Sequence, residues 1–296
     1  MPEIKRGKLY SRFTEDFDEV ELQQPDFITI LKLVWHVVKS FFKERPGQII
    51  GSAFILIMLW GYHGELELIK VFWKDWVPPG TNPTARIQII PWVPWDYEII
   101  SFWVGALLLV VVPMILIKSI YKQSLSEYGL GMPPKGRRAL AFWSFLALFI
   151  ISLPAFYLGA QDEGMRQVYP FYKNFTSSGQ FIIYELTYLP FFIAIEFIFR
   201  GYLLFGLAGT RDDEIQKSGG GVPGIFYFHK YALLIQMLSY TAWHLGKPTP
   251  ELWGTLVWGL AAGTLAYACR SIWPVVAAHW FLNVFLDAVI IKPFQN

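Results

Sequence analysis

The chain has 296 residues and a formal net charge of +2; 54% of its residues are hydrophobic, 18% aromatic and only 16% charged, against roughly 25% charged in a typical soluble protein. With a mean hydropathy of +0.37, it cannot cover its own surface with polar groups as a soluble domain must, and its sparse basic clusters argue against nucleic-acid binding. Cys269 is the only cysteine, which excludes an intrachain disulfide, a cysteine-built zinc site and an iron–sulfur cluster.

The first 24 residues are polar and acidic, with Glu15, Asp16, Asp18, Glu19 and Glu21 close together, and read as an exposed tail. The stretch from Met1 to Phe27 has no hydrophobic h-region, so no cleavable signal peptide is expected. From Ile28 to Lys43 the pattern changes. Lys32, His36, Lys39 and Lys43 recur on one helical face while Leu31, Val34, Val38, Phe41 and Phe42 fall mainly elsewhere. This is an amphipathic helix that either lies on an anionic membrane surface or packs on the rest of the protein; Pro46 ends it.

Apolar stretches then follow at Gln48–Tyr62, Ile99–Ile120, Ala139–Leu158, Phe181–Leu207, Tyr231–His244, Leu252–Cys269 and Ile272–Ile291. Most approach the roughly 20 residues that cross a bilayer; the first and fifth are short for a straight crossing. The expected fold is all-α, a polytopic transmembrane helix bundle of about seven spans behind the amphipathic helix. Three regions result: 1–47, the tail and interfacial helix; 48–178, an N-terminal transmembrane region; and 179–296, the core carrying the polar span residues. The connection from His63 to Glu98 is rich in Pro and Trp, and Trp73, Trp76, Trp92 and Trp95 read as interfacial anchors. Gly219-Gly220-Gly221 marks a flexible loop.

Basic residues set an orientation. Lys39, Lys43 and Arg45, the group Lys118, Lys122, Lys135, Arg137 and Arg138, then Arg211, Lys217 and Arg270 all fall on one side under this count. That side is assigned to the cytoplasm and receives the N-terminus, in an inner or plasma membrane. Glu65, Glu67, Asp75, Asp162 and Glu163 fall on the other side.

A charge near the bilayer centre costs at least a few kcal/mol, so each one needs a partner or a function. Glu196 and Arg200 share a helix face at i,i+4 and can neutralise one another; Glu185 lies about 16 Å further up the same helix. His244 ends the fifth span. His279, Asn283 and Asp287 share one face of the seventh. Bundled together, these faces make a polar intramembrane chamber able to bind a metal, activate water or hold a polar ligand. In the sixth span Gly259 and Gly263 form a Gly-x-x-x-Gly pair, expected to bring the helices carrying His244 and His279 together. Cys269 reads as a packed thiol.

In this order and spacing the chain resembles the CPBP (Abi) intramembrane endopeptidases, which include the type II CAAX prenyl endopeptidases. Glu196-Phe-Ile-Phe-Arg200 resembles the end of their Glu-Glu-x-x-x-Arg motif, Tyr240-x-x-x-His244 their aromatic-x-x-x-His motif, and His279-x-x-x-Asn283 their third motif. The likeness runs from about Phe181 to Val289 and leaves the N-terminal 138 residues unexplained. It departs at Ile195, where the family has its first glutamate, the general base acting on water. Glu196 to Gly201, with His244-x-Gly-Lys-Pro-x-x-Glu251, is similar to a subgroup that also lacks that glutamate.

What the resemblance implies is a water polarised by a glutamate and His244, with His279 and Asn283 stabilising the oxyanion. Glu196 with Arg200 is then supportive. Glu251, seven residues after His244, is either a second candidate base or a loop carboxylate at the interface. No cofactor is implied. A divalent metal such as zinc stays open, with His244, His279 and a glutamate as ligands. The partners expected are the lipid bilayer and either a peptide or membrane-protein substrate or, for a catalytically silent scaffold, a stoichiometric membrane-protein partner. A ligand or pigment binder using His244 or His279 as an axial donor is the third reading.

Overall fold

The computed structural model describes residues 26–61, 93, 95–209 and 224–292. The acidic tail, the acidic loop residues Glu65, Glu67 and Asp75, the anchors Trp73, Trp76 and Trp92, and the loop with Arg211, Lys217 and Gly219 to Gly221 lie outside the described residues. Every regular element among the described residues is helical. In chain order these are α1 (Phe27–Lys43), α2 (Arg45–Leu59), α3 (Glu98–Ile120) and α4 (Lys135–Gly159). Then come the short α5 (Glu163–Val168), α6 (Ser178–Ala208), α7 (Gly224–Trp243), α8 (Thr249–Cys269) and α9 (Trp273–Ile291).

Five of them, α3, α4, α6, α8 and α9, are long and apolar enough to cross a membrane, and the chain is an integral multi-pass membrane protein. The other two of the seven expected spans fall short for different reasons. α2 has only 15 residues. α7 has 20, but His229, Lys230 and Gln236 interrupt its apolar sequence. Contacts divide the chain into two units, 1–52 and 53–296, and the candidate site lies wholly in the second.

The axis of that unit is α6. It carries apolar side chains on all sides, as a helix buried within a bundle does, and 94% of its most apolar window is buried. Ser177 starts it, accepting a hydrogen bond from the Gln180 amide at 3.2 Å. After Glu196 the backbone widens into a π-helical stretch, Phe197–Phe205, a distortion found often at functional sites. At Gly201 an added Cβ would stand 2.9 Å from the Tyr128 carbonyl oxygen; only glycine lets the backbones pass.

α3, α7, α8 and α9 pack around this axis and α4 packs on α8 and α9; Trp103, Trp143 and Trp253 turn outward, where lipid is their solvent. Gly259 and Gly263 pack on α7, where a Cβ would meet Met237 at 3.0 Å and Gln236 at 2.5 Å. Gln236 Nε2 donates to the Gly259 carbonyl at 2.6 Å. The glycine pair thus joins α8 to the His244 helix, whereas the sequence suggested a role between the His244 and His279 helices. Cys269 is buried, as expected of a packed thiol.

The ends of the bundle sort by chemistry. Arg137 Nη1 donates to the Ala268 carbonyl at 2.6 Å, so the basic segment Lys135–Arg137 and the last turn of α8 share one end. Tyr169 reaches Glu251 in the first turn of α8, at the other.

Candidate functional site

A cavity of about 730 Å³ opens between these helices. Its polar wall carries His244, Glu251, His279 and Asn283; Ile195 and Trp258 line it as well. Phe102 of α3, Leu148 and Ile151 of α4, and Ala261 and Leu265 of α8 extend it as an apolar chamber. Three of the expected site residues, His244, His279 and Asn283, therefore converge on one space, and Glu251 joins them. Glu196 and Arg200 do not face it. Ile195 and Glu196 diverge by about 100° on a helix, and it is Ile195 that reaches the chamber. Glu196 stands behind the wall.

From that position Glu196 organises the wall. Its Oε1 accepts from His279 Nδ1 at 2.6 Å and from Trp258 Nε1 at 3.4 Å. Its Oε2 lies 3.3 Å from Arg200 Nε, with both side chains completely buried. The Arg200 guanidinium lies 4.0 Å over the Tyr240 ring, a cation–π contact in a dry setting. A carboxylate can only accept, so Nδ1 of His279 carries the proton. The ring is held between Phe192 and Trp258, at centroid distances of 4.9 and 5.0 Å. This is a positioned imidazole whose Nε2 is left for chemistry.

His244 is fixed differently. Its Nδ1 donates to the main-chain carbonyl of Tyr240, one turn back, at 2.7 Å. A carbonyl also only accepts, so neutral His244 has its lone pair on Nε2. That atom lies 3.6 Å from Glu251 Oε1. Oε1 itself accepts from the Tyr169 hydroxyl at 2.7 Å, while Oε2 is buried without a hydrogen-bond partner. Burial, with the Glu251 charge beside it, holds the Tyr169 phenol well above its ordinary value, so it stays protonated and donates. Glu251 is therefore a largely buried carboxylate beside the histidine, in the first turn of α8.

Asn283 gives one amide hydrogen to Asp287 Oδ2 at 3.0 Å. Asp287 is wholly buried and Glu185 nearly so. Trp280 Nε1 ties α9 to the Glu185 main-chain carbonyl at 2.9 Å. Among the described residues, no three His, Cys, Asp or Glu side chains group to hold a metal; His244 and His279 gain no third ligand of that kind.

Sequence reasoning missed Trp258 and Tyr169. Trp258 was within reach, because it lies seven residues after Glu251 and so on the same face of α8. Tyr169 contacts Glu251 across 82 residues, and nothing local marks it.

No curated protein and no solved structure matches the chain. A family model does, over residues 178–285, from the start of α6 through His279 and Asn283. Its description is type II CAAX prenyl endopeptidase Rce1-like. The segment that supplies Glu196, His244, Glu251 and His279 to this site is thus an Rce1-like type II CAAX prenyl endopeptidase domain.

Proposed function

We propose that the chain is an intramembrane peptidase in which His244 and Glu251 together activate water. The observation that carries this reading is the His244 tautomer: Nδ1 is spent on the Tyr240 carbonyl, and Nε2 points its lone pair toward a carboxylate in the chamber wall. His244 Nε2 takes a proton from water, and the hydroxide oxygen bonds to the scissile carbonyl carbon. Protonated His279 donates from Nε2 to the resulting oxyanion, and Glu196 stabilises that imidazolium from behind. The remaining Asn283 amide hydrogen is a second donor. Collapse breaks the C–N bond, and the leaving amine takes the proton from His244. The apolar walls from α3, α4 and α8 suit a substrate whose cleaved peptide is joined to an apolar or lipid-modified segment, as the prenyl endopeptidase name suggests.

His244→Ala is expected to lower cleavage of a peptide library by about 10²–10⁴-fold, the usual worth of a general base. Glu251→Gln removes the charge that supports it and is expected to cost roughly 10²-fold. Both variants are expected to keep the wild-type melting profile in detergent. Unchanged cleavage in His244→Ala would remove His244 from the mechanism.

A second reading has its own observation. Ile195 puts an apolar side chain into the chamber at the position of the family's first glutamate, as a catalytically silent scaffold would. In that case wild type cuts nothing, and a stoichiometric membrane partner co-purifies.

We also propose that the Lys135–Arg138 end faces the cytoplasm, as does the N-terminus, in an inner or plasma membrane. The Arg137–Ala268 contact supports this, since it puts Arg270 at the same end as the loop. In a Cys269→Ala background, Lys135→Cys is expected to stay unlabelled by an impermeant thiol reagent in intact cells and to react after lysis. Labelling of intact cells would reverse the orientation.

A further inference from the structure

We propose that α1 is an in-plane anchor that binds anionic lipid headgroups. Asp26 caps the helix by accepting from the Thr29 amide at 2.7 Å. Successive steps of about 100° place Thr29, Lys32, His36, Lys39, Ser40 and Lys43 within one polar arc of about 100°. Every other position of Phe27–Lys43 is Phe, Ile, Leu, Val or Trp, filling the remaining arc of some 220° at the same spacing. These apolar side chains are open: Phe27 is 73% exposed and Trp35 68%, and Leu31, Val34 and Val38 are exposed as well.

Two features choose the occupant. The first is the width of the apolar arc. A helix that docks in a protein groove presents a stripe at i, i+3, i+4 and i+7, and much of an arc this wide would stay wet in such a groove. A bilayer interface submerges it. The second is charge. The helix carries three lysines and no Asp or Glu, and the lysines sit together on the polar arc, where they meet headgroup phosphates while their stems remain in the apolar layer. Lysines near an anionic leaflet are each worth about fivefold in binding, so three give on the order of 100-fold. The occupant is therefore an anionic phospholipid surface.

The experiment uses the full chain in the Cys269→Ala background, reconstituted in phosphatidylcholine vesicles with or without phosphatidylglycerol. Spin labels are placed singly through Val34→Cys and Val38→Cys on the apolar arc and Ser40→Cys on the polar arc. With phosphatidylglycerol, the Val34 and Val38 labels are expected to be accessible to oxygen and shielded from a water-soluble nickel reagent, and the Ser40 label the reverse. Without it, or in Lys32→Glu/Lys39→Glu/Lys43→Glu, the contrast is expected to weaken. Because the labels report on a helix with its lysines intact, the outcome does not depend on the charge-reversed variant folding. Equal insertion in both vesicle types overturns the headgroup assignment. Labels at Val34 and Val38 that are immobilised and shielded from both reagents place a protein on the face and overturn the proposal, as do labels open to the nickel reagent in both.

Discussion

Glu196→Gln is expected to destabilise the protein by about 3–5 kcal/mol, the usual cost of removing one member of a buried ion pair, and to lose most peptidase activity as well. The two losses have separate causes. Arg200 is completely buried, with Glu196 as its one ion-pair partner among the described residues, so the change strands a guanidinium inside the bundle. The same carboxylate holds His279 Nδ1 at 2.6 Å, and an amide can no longer stabilise the imidazolium that faces the oxyanion. Glu196 is thus a positioning residue, acting through His279. The double variant Glu196→Gln/Arg200→Met separates the effects. Replacing a buried pair with apolar or neutral groups is often close to neutral for stability, so most of the lost stability should return while activity stays low. Thermal unfolding in detergent and cleavage of a peptide library, followed in parallel, decide it. Full stability with abolished cleavage in the single variant would make Glu196 the base itself, and would take that role from His244 and Glu251.

The parts of the site carried by one helix were legible in the sequence. Glu196 with Arg200, and His279 with Asn283 and Asp287, repeat at i,i+4, and that spacing alone puts each set on a common face. Hydropathy marked the five helices that meet the requirements for crossing. What the sequence could not supply is the rotation of α6 about its own axis. A helix buried on all sides has no polar face to orient it, so nothing local decides whether Ile195 or Glu196 faces the chamber. The answer comes from Trp258 and His279, which claim Glu196 from 62 and 83 residues away. Glu251 was ambiguous for the same reason: its environment is set by Tyr169, in the segment between α5 and α6. The glycine pair on α8 announced a close helix contact, but glycine leaves no side chain to name the partner.

Ile195→Glu tests whether this chamber is a working active site short of one group. Ile195 is 1% exposed and lines the cavity beside the histidines, so a carboxylate there enters the space where water must be deprotonated. A positioned base contributes about 10²–10⁴-fold. His244 with Glu251 already supplies part of that in wild type, so the single variant is expected to gain about tenfold or less. The larger effect belongs in the Glu251→Gln background, where Ile195→Glu should restore much of the roughly 10²-fold loss. Burying a new carboxylate opposes folding by a few kcal/mol, so the variant should melt earlier even as it cuts faster. That combination is hard to produce by a nonspecific change, because damage to the bundle lowers both quantities. The comparison needs turnover by wild type, both single variants and the double variant, on one peptide substrate. Rescue in the double variant shows that a carboxylate at this wall of the chamber can take over the part Glu251 plays beside His244. If Ile195→Glu folds and the double variant is no better than Glu251→Gln, a carboxylate at position 195 cannot act on water in this chamber. If wild type and Ile195→Glu are both folded and inert, the chamber is a retained shape, and the partner-binding scaffold becomes the function of the chain.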